Sequence, residues 1–290
     1  MASMIPSPTK TLHHEPYPSI DPTRPELNNN GKSIVVTGGG MGIGFSIARA
    51  FAASGAANIA LLGRTEAVLH ASKLLLMKEF PSVQFHALVT DLTTELSIQE
   101  SLSTFTVSIS PLKIDILVAN AGHMHNPSSL SQIDGDEWWK SFTVNVRGNF
   151  NLLRTFQLYA AQDPVVINVS TAGTHLLVPG LSGYTASKLA ATQLFDHFKA
   201  ENTSTRVVQF HPGLIHTEMS QKTAEANPKR QYDDVNLPAH FAVWLSSSEA
   251  AFLDGKYVWA SWDVNELKDM TAKIEGTPNL THGLIGWPNI

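Results

Sequence analysis

Cysteine is absent from the 290 residues. That excludes disulfides, thiolate metal sites and cysteine nucleophiles, and it fits a reducing compartment. The cytoplasm is the expected location. Charge is also sparse: 16% of residues are charged and the formal net charge is −5. Such a surface does not read as one that binds a polyanion, so nucleic acid is not an expected partner. No apolar run approaches the roughly 20 residues of a membrane span, so no membrane association is expected. Met1–Glu15 lacks the apolar core and basic flank of a secretory signal. The twelve histidines form no His-Glu-x-x-His or similar array, so no metal site is expected. What remains is a chain with 43% hydrophobic residues, long enough for one large α/β domain with a substantial core.

Residues 1–30 are rich in proline and small polar residues, as in Pro16-Tyr17-Pro18 and Asp21-Pro22-Thr23-Arg24-Pro25. They read as an irregular N-terminal arm, with Tyr17, Ile20 and Leu27 as candidate anchors. The domain then runs over 31–290. Short apolar or β-branched runs occur at Ser33–Thr37, Asn58–Leu62, Val83–Val89, Ile114–Ala119, Val165–Val169, Arg206–Phe210 and Lys256–Trp259. Helix-like stretches lie between them, including Gly44–Ser54, Glu66–Phe80, Trp138–Ala161 and Tyr184–Ala200. Strands alternating with helices predict an α/β class protein with a parallel sheet covered on both faces. Seven runs predict a single doubly wound Rossmann domain with a seven-stranded parallel sheet. The polar stretch Leu214–Asn236 follows a strand directly and reads as a lid. A C-terminal tail occupies about 261–290.

Thr37-Gly38-Gly39-Gly40-Met41-Gly42-Ile43-Gly44 follows the first strand and opens a helix. Glycine at 38 and 42 allows a tight turn and close approach of backbone to phosphate, and Gly44 allows tight helix–strand packing. A helix N-terminus offers free N–H groups to a pyrophosphate. The second strand ends in Gly63-Arg64, where an NAD-reading fold would carry an acid for the ribose. A guanidinium there suits a 2′-phosphate, so NADP(H) is preferred, while nearby Glu66 keeps NAD(H) open. Asp91 and Leu92, and Asn120-Ala121-Gly122, stand at the ends of later strands on the same rim.

Tyr184 and Lys188 are four residues apart, which puts both on one helix face. Ser170 ends a strand fourteen residues before Tyr184. A phenol beside a cation, a nearby hydroxyl and a dinucleotide cradle point to hydride transfer between a nicotinamide and a carbonyl or alcohol. Tyr184 would exchange the proton with the reacting oxygen, a Lys188 ammonium would lower the phenol's pKa, and Ser170 would hydrogen-bond the developing charge.

In these ordered motifs the chain resembles the short-chain dehydrogenase/reductase family from about Gly31 to Trp259. The resemblance rests on the Thr37–Gly44 turn, Asn120–Gly122, Asn145 in Val144-Asn145-Val146-Arg147-Gly148, Ser170-Thr171-Ala172-Gly173, Tyr184-x-x-x-Lys188, and the Pro212-Gly213 turn. It implies catalytic roles for Ser170, Tyr184, Lys188 and Asn145, with Lys188 also on the ribose hydroxyls and Asn145 holding a relay water. It further implies cofactor contacts from Pro212, Gly213, Ile215 and Thr217. Family members more often place the serine thirteen residues before the tyrosine, a position held here by Thr171. Ser170 is preferred because the Ser-x-x-Gly pattern then maps onto Ser170–Gly173, with one extra residue in the following loop. Met41 stands where some NADPH enzymes carry a basic residue, which leaves the NADP preference mainly to Arg64. The arm Pro22–Leu27 and the tail Val258–Val264 are similar to a fungal branch of the family, many of whose members act in natural-product pathways.

The substrate pocket is expected from loops after the strands: His123 and His125, then His175 and Leu176, with His216 and Met219 from the lid and Trp262 from the tail. Their mixture suggests a medium-sized, largely apolar carbonyl compound or alcohol. The resemblance also implies a homodimer or homotetramer, built through the long helices that hold Asn145 and Tyr184. Two other functions use the same fold: a non-redox step such as dehydration, isomerisation or cyclisation, and a non-catalytic dinucleotide sensor.

Overall fold

β-Branched and apolar side chains crowd the seven strand segments, and burial on both faces of the sheet is what selects them. The strands are β1 Ser33–Thr37, β2 Asn58–Gly63, β3 Gln84–Val89, β4 Ile114–Ala119, β5 Ala160–Val169, β6 Arg206–His211 and β7 Lys256–Trp259. All pair in parallel in the order β3-β2-β1-β4-β5-β6-β7. The computed structural model describes residues 7–223 and 231–284. Residues 1–6 of the expected arm, 224–230 of the expected lid and 285–290 of the expected tail lie outside the described residues.

Strand residues alternate between two cores, as a period of two requires. On one side Ile34, Val36, Val118, Ile167 and Phe210 pack with helices α1 (Gly42–Ala53) and α8 (Asn236–Ser246). On the other side Val35, Leu117, Val166 and Val207 pack with α3 (Glu95–Ser108), α5 (Gly148–Phe156) and α6 (Ser182–Glu201). Helix α2 (Glu66–Glu79) leans on β2 and β3, and the short α7 (Glu218–Gln221) follows β6. The chain reverses its winding between β1 and β4, which opens a crevice at the carboxyl ends of the strands.

One helix departs from the sequence expectation. The stretch read as Trp138–Ala161 is α4 (Gly135–Phe142), a π-helical turn at Thr143–Arg147 and then α5, which ends at Phe156. The segment after it joins the sheet early, because Ala160 already pairs with Ile114 of β4, and Pro164 could not continue a helix. In α8, Phe241 to Leu245 are all fully buried. It is wedged between α1 and the arm, so it carries no polar face for a periodicity reading to find. The arm's Ile20 and Leu27 are fully buried in the same core. Tyr17 accepts a hydrogen bond from Val264 N–H at 2.9 Å, and Arg24 meets Glu249 at 2.7 Å.

Candidate active site

The glycine turn is shaped by close contact. Gly38 and Gly42 have φ of +65° and +54°, a region that favours glycine. A methyl group on Gly44 would stand 2.2 Å from the Gly38 carbonyl oxygen and 2.6 Å from Asn120 Nδ2. Gly44 therefore does not line the crevice; its lack of a side chain lets the turn close against β4. Thr37 Oγ1 accepts the Asn120 and Ala121 N–H groups, each at 3.0 Å, and ties the ends of β1 and β4 together.

Beyond this turn lies a cavity of about 650 Å³. It runs past the ends of β1, β2, β4, β5 and β6 and gathers most of the candidate residues. Thr37, Gly38, Met41, Gly42, Ile43, Arg64, Asp91, Leu92, Asn120, Ala121 and Gly122 line one part. Ser170, Tyr184, Lys188, Pro212 and Thr217 line the rest, together with His123, His216 and Met219. Glu66 does not line it. The volume and the glycine-walled turn fit a dinucleotide, with Arg64 as the basic group at the β2 end. Asp91 is braced by Thr93, whose N–H and hydroxyl donate to Oδ1 at 2.9 and 2.8 Å.

Helix α6 carries both Tyr184 and Lys188. Gly183, next to Tyr184, lies under the Trp138 indole and the His125 ring, where a methyl would come within 2.8 Å of Trp138. Trp138 Nε1 also donates to Ser182 Oγ at 3.1 Å, so α4 seats the start of α6. Lys188 is buried and its Nζ donates to the Val169 carbonyl at 2.9 Å, the residue before Ser170. Burial pushes the Lys188 ammonium down to about 8. Burial also pushes the Tyr184 phenol up to about 12, an effect opposed by a hydrogen bond with the Thr171 side chain. The expected depression of Tyr184 by Lys188 is not found: burial is the largest cause, and the group that opposes it is Thr171 rather than Lys188. Ser170 is buried at the cavity wall and its Oγ meets Thr192 Oγ1 at 3.3 Å. Thr171 lies beside Tyr184 but outside the lining.

Asn145 sits in the π-helical turn, a feature that often marks functional sites. It is fully buried, takes the His123 N–H at 2.7 Å and donates to the His123 carbonyl at 2.8 Å and Ser187 Oγ at 2.9 Å. Its side chain thus fixes the loop after β4. Gly122 keeps the space beside Asn145 Oδ1 and Lys188 Nζ open, at 3.3 and 3.4 Å from where a methyl would be.

Other candidates lie elsewhere. Gly213, with φ of +92°, abuts the Asp233 carboxylate, and Ile215 is buried and bridges Asp233. His125 is buried beneath Gly183, His175 packs against Tyr257 and Trp259, and Trp262 stacks on Trp259. Leu176 is half-buried outside the cavity. Sequence reasoning missed Lys222, which lines the cavity and donates to the Met124 carbonyl at 2.6 Å. It also missed Val68, Leu69 and Val144 in the wall. A lysine in a polar loop carries no local signal of such a role; the spacing of Val68 and Leu69 after the β2 end does.

A glycine-turn crevice at the switch point of a doubly wound parallel sheet defines the dinucleotide-fold class. Within it, the chain belongs to the short chain dehydrogenase family, whose model matches residues 32–228. A short chain dehydrogenase/reductase of Claviceps purpurea is 38% identical over 270 residues, 91% of this chain and 89% of that protein. The short chain dehydrogenase/reductase AacuD of Aspergillus aculeatus is 36% identical over 282 residues, 96% of each chain. Among solved structures, an alcohol dehydrogenase from the archaeon Thermococcus sibiricus, complexed with 5-hydroxy-NADP, is similar at a TM-score of 0.65. It is 26% identical and the match covers 74% of this chain and 89% of that one.

Proposed function

We propose that the protein is an NADP(H)-preferring oxidoreductase that interconverts a ketone or aldehyde with an alcohol on a medium-sized, largely apolar small molecule. The observation that carries this reading is the single cavity that joins the glycine turn and Arg64 to Ser170, Tyr184 and Lys188. Bound there, a reduced nicotinamide supplies the hydride. The protein's own groups do the rest. Ser170 donates a hydrogen bond to the substrate oxygen as charge grows on it. Tyr184 gives that oxygen its proton in reduction and takes it back in oxidation. The Lys188 ammonium is held against the end of β5, where it would hold the ribose hydroxyls of the bound cofactor. His123, His216 and Met219 supply the substrate wall, and the likeness to fungal short chain dehydrogenase/reductases supports a natural-product carbonyl as the substrate. Exposed Phe150 and Leu189 on α5 and α6 support a homodimer through those helices.

The cofactor preference is testable by titration with NADPH and NADH, following nicotinamide fluorescence. NADPH is expected to bind at least about tenfold more tightly, and Arg64→Ala to abolish the difference, as loss of a charged hydrogen bond implies. Equal or tighter NADH binding by the native protein would remove Arg64 from the account.

A further inference from the structure

A second tyrosine stands behind Ser170. Tyr257 lies on β7, is 5% exposed and does not line the cavity. Its hydroxyl donates to the Thr171 carbonyl at 2.7 Å. Thr174 Oγ1 donates to the same carbonyl at 3.0 Å. Ser170 Oγ faces Thr192 Oγ1, whose own hydrogen is committed to the Lys188 carbonyl at 3.0 Å. Thr192 can therefore only accept from Ser170.

This hydroxyl cluster continues into the C-terminal tail. His282 Nε2 meets Thr174 Oγ1 at 2.9 Å, and the His282 ring lies edge-on to Tyr257 at 4.8 Å. Tyr257 N–H donates to the Leu280 carbonyl at 2.8 Å. A phenol at this depth costs free energy unless its oxygen is satisfied, and phenylalanine would fill the same volume without that cost. Burial also raises the Tyr257 pKa, so the group is a neutral donor and not a proton acceptor from substrate.

We propose that Tyr257 is a positioning residue for Ser170: its hydroxyl pins the neighbouring Thr171 carbonyl and so holds the backbone that sets the serine at the cavity wall. This rests on the oxidoreductase reading. The gain is preorganisation: with its backbone held, only the serine hydroxyl has to turn from Thr192 to the substrate oxygen as charge develops. It also makes the tail from Leu280 to His282 part of the support of the site.

Tyr257→Phe removes one oxygen and tests the idea. With NADPH and a ketone that the native protein reduces, kcat is expected to fall about tenfold, with the NADPH dissociation constant unchanged within about twofold. In a Ser170→Ala background the same change is expected to cost less than about twofold, because the group it serves is gone. A native kcat in Tyr257→Phe, or an equal loss in both backgrounds, overturns the proposal. A second readout needs no turnover. Amide hydrogen exchange at Gly173–Leu176, whose N–H groups close onto Thr171 and Ala172, should quicken about three- to tenfold in Tyr257→Phe while the glycine turn is unchanged. Unchanged exchange there overturns the positioning role, whereas failure of the native protein to reduce any carbonyl counts against the oxidoreductase reading.

Discussion

Burial holds the Lys188 ammonium near pH 8, well under the ordinary lysine value, and this has a consequence for stability. An unfolded lysine keeps its proton to about pH 10.4. Between those two values the unfolded chain binds more protons than the folded one, so stability rises with pH. Below about pH 8 both states are protonated and the full penalty, on the order of 3 kcal/mol, is present. The denaturation midpoint of the cofactor-free protein should therefore climb from about pH 8 to 10 relative to that of Lys188→Met. Tyr184 acts oppositely but higher: its raised pKa of about 12 contributes stability that is lost only as pH rises beyond about 10. A native curve parallel to the Lys188→Met curve across this range would contradict the buried ammonium. The positions of Tyr184, Lys188 and Ser170 were legible because a four-residue helical spacing and a strand end fix where side chains point. Their electrostatics were not. Desolvation depends on what α4 and β7 pack around them, and neither Trp138 nor Tyr257 announces that in the local sequence.

At the scale of elements, the glycine turn and α1 stand or fall together. A methyl on Gly44 meets backbone oxygen at 2.2 Å, and that contact cannot be relieved by rotating a side chain. Gly44→Ala should cost about 1–3 kcal/mol in urea denaturation and weaken NADPH binding as the turn is forced away from Asn120. Gly135→Ala, at the start of α4 where nothing lies within 4 Å, should leave stability unchanged or raise it by up to about 1 kcal/mol. Equal effects from the two would mean that the turn is not tightly closed. The strand segments were readable because a sheet covered on both faces writes continuous apolar runs. The break near Phe156 was not, since it is set by pairing of Ala160 with a strand more than forty residues away in sequence. Helix α8 escaped for the opposite reason: packed against α1 and the arm, it shows no alternation of faces.

Across the whole molecule, the site is assembled from pieces distant in sequence. The first strand, the β4 loop, α6 and the segment after β6 meet in one crevice, and arm and tail pack outside it. The arm's Ile20 and Leu27 share a core with α8, and Tyr17 reaches the tail at Val264 and at the Trp262 carbonyl. Trp262, read as a substrate contact, belongs to that support instead. A polar arm with three apolar anchors does hint at docking, but which surface it covers follows only from the tertiary fold. An isotope experiment tests most directly whether this assembly reduces a carbonyl. The native protein and Tyr184→Phe would be given a ketone and NADPH deuterated at the transferable position, and the product analysed by mass spectrometry. The account predicts an alcohol carrying one deuterium on the carbinol carbon from the native protein, and product formation at least about a hundredfold slower from Tyr184→Phe, as loss of a general acid implies. A converted product without deuterium, or equal rates from the two proteins, would contradict it.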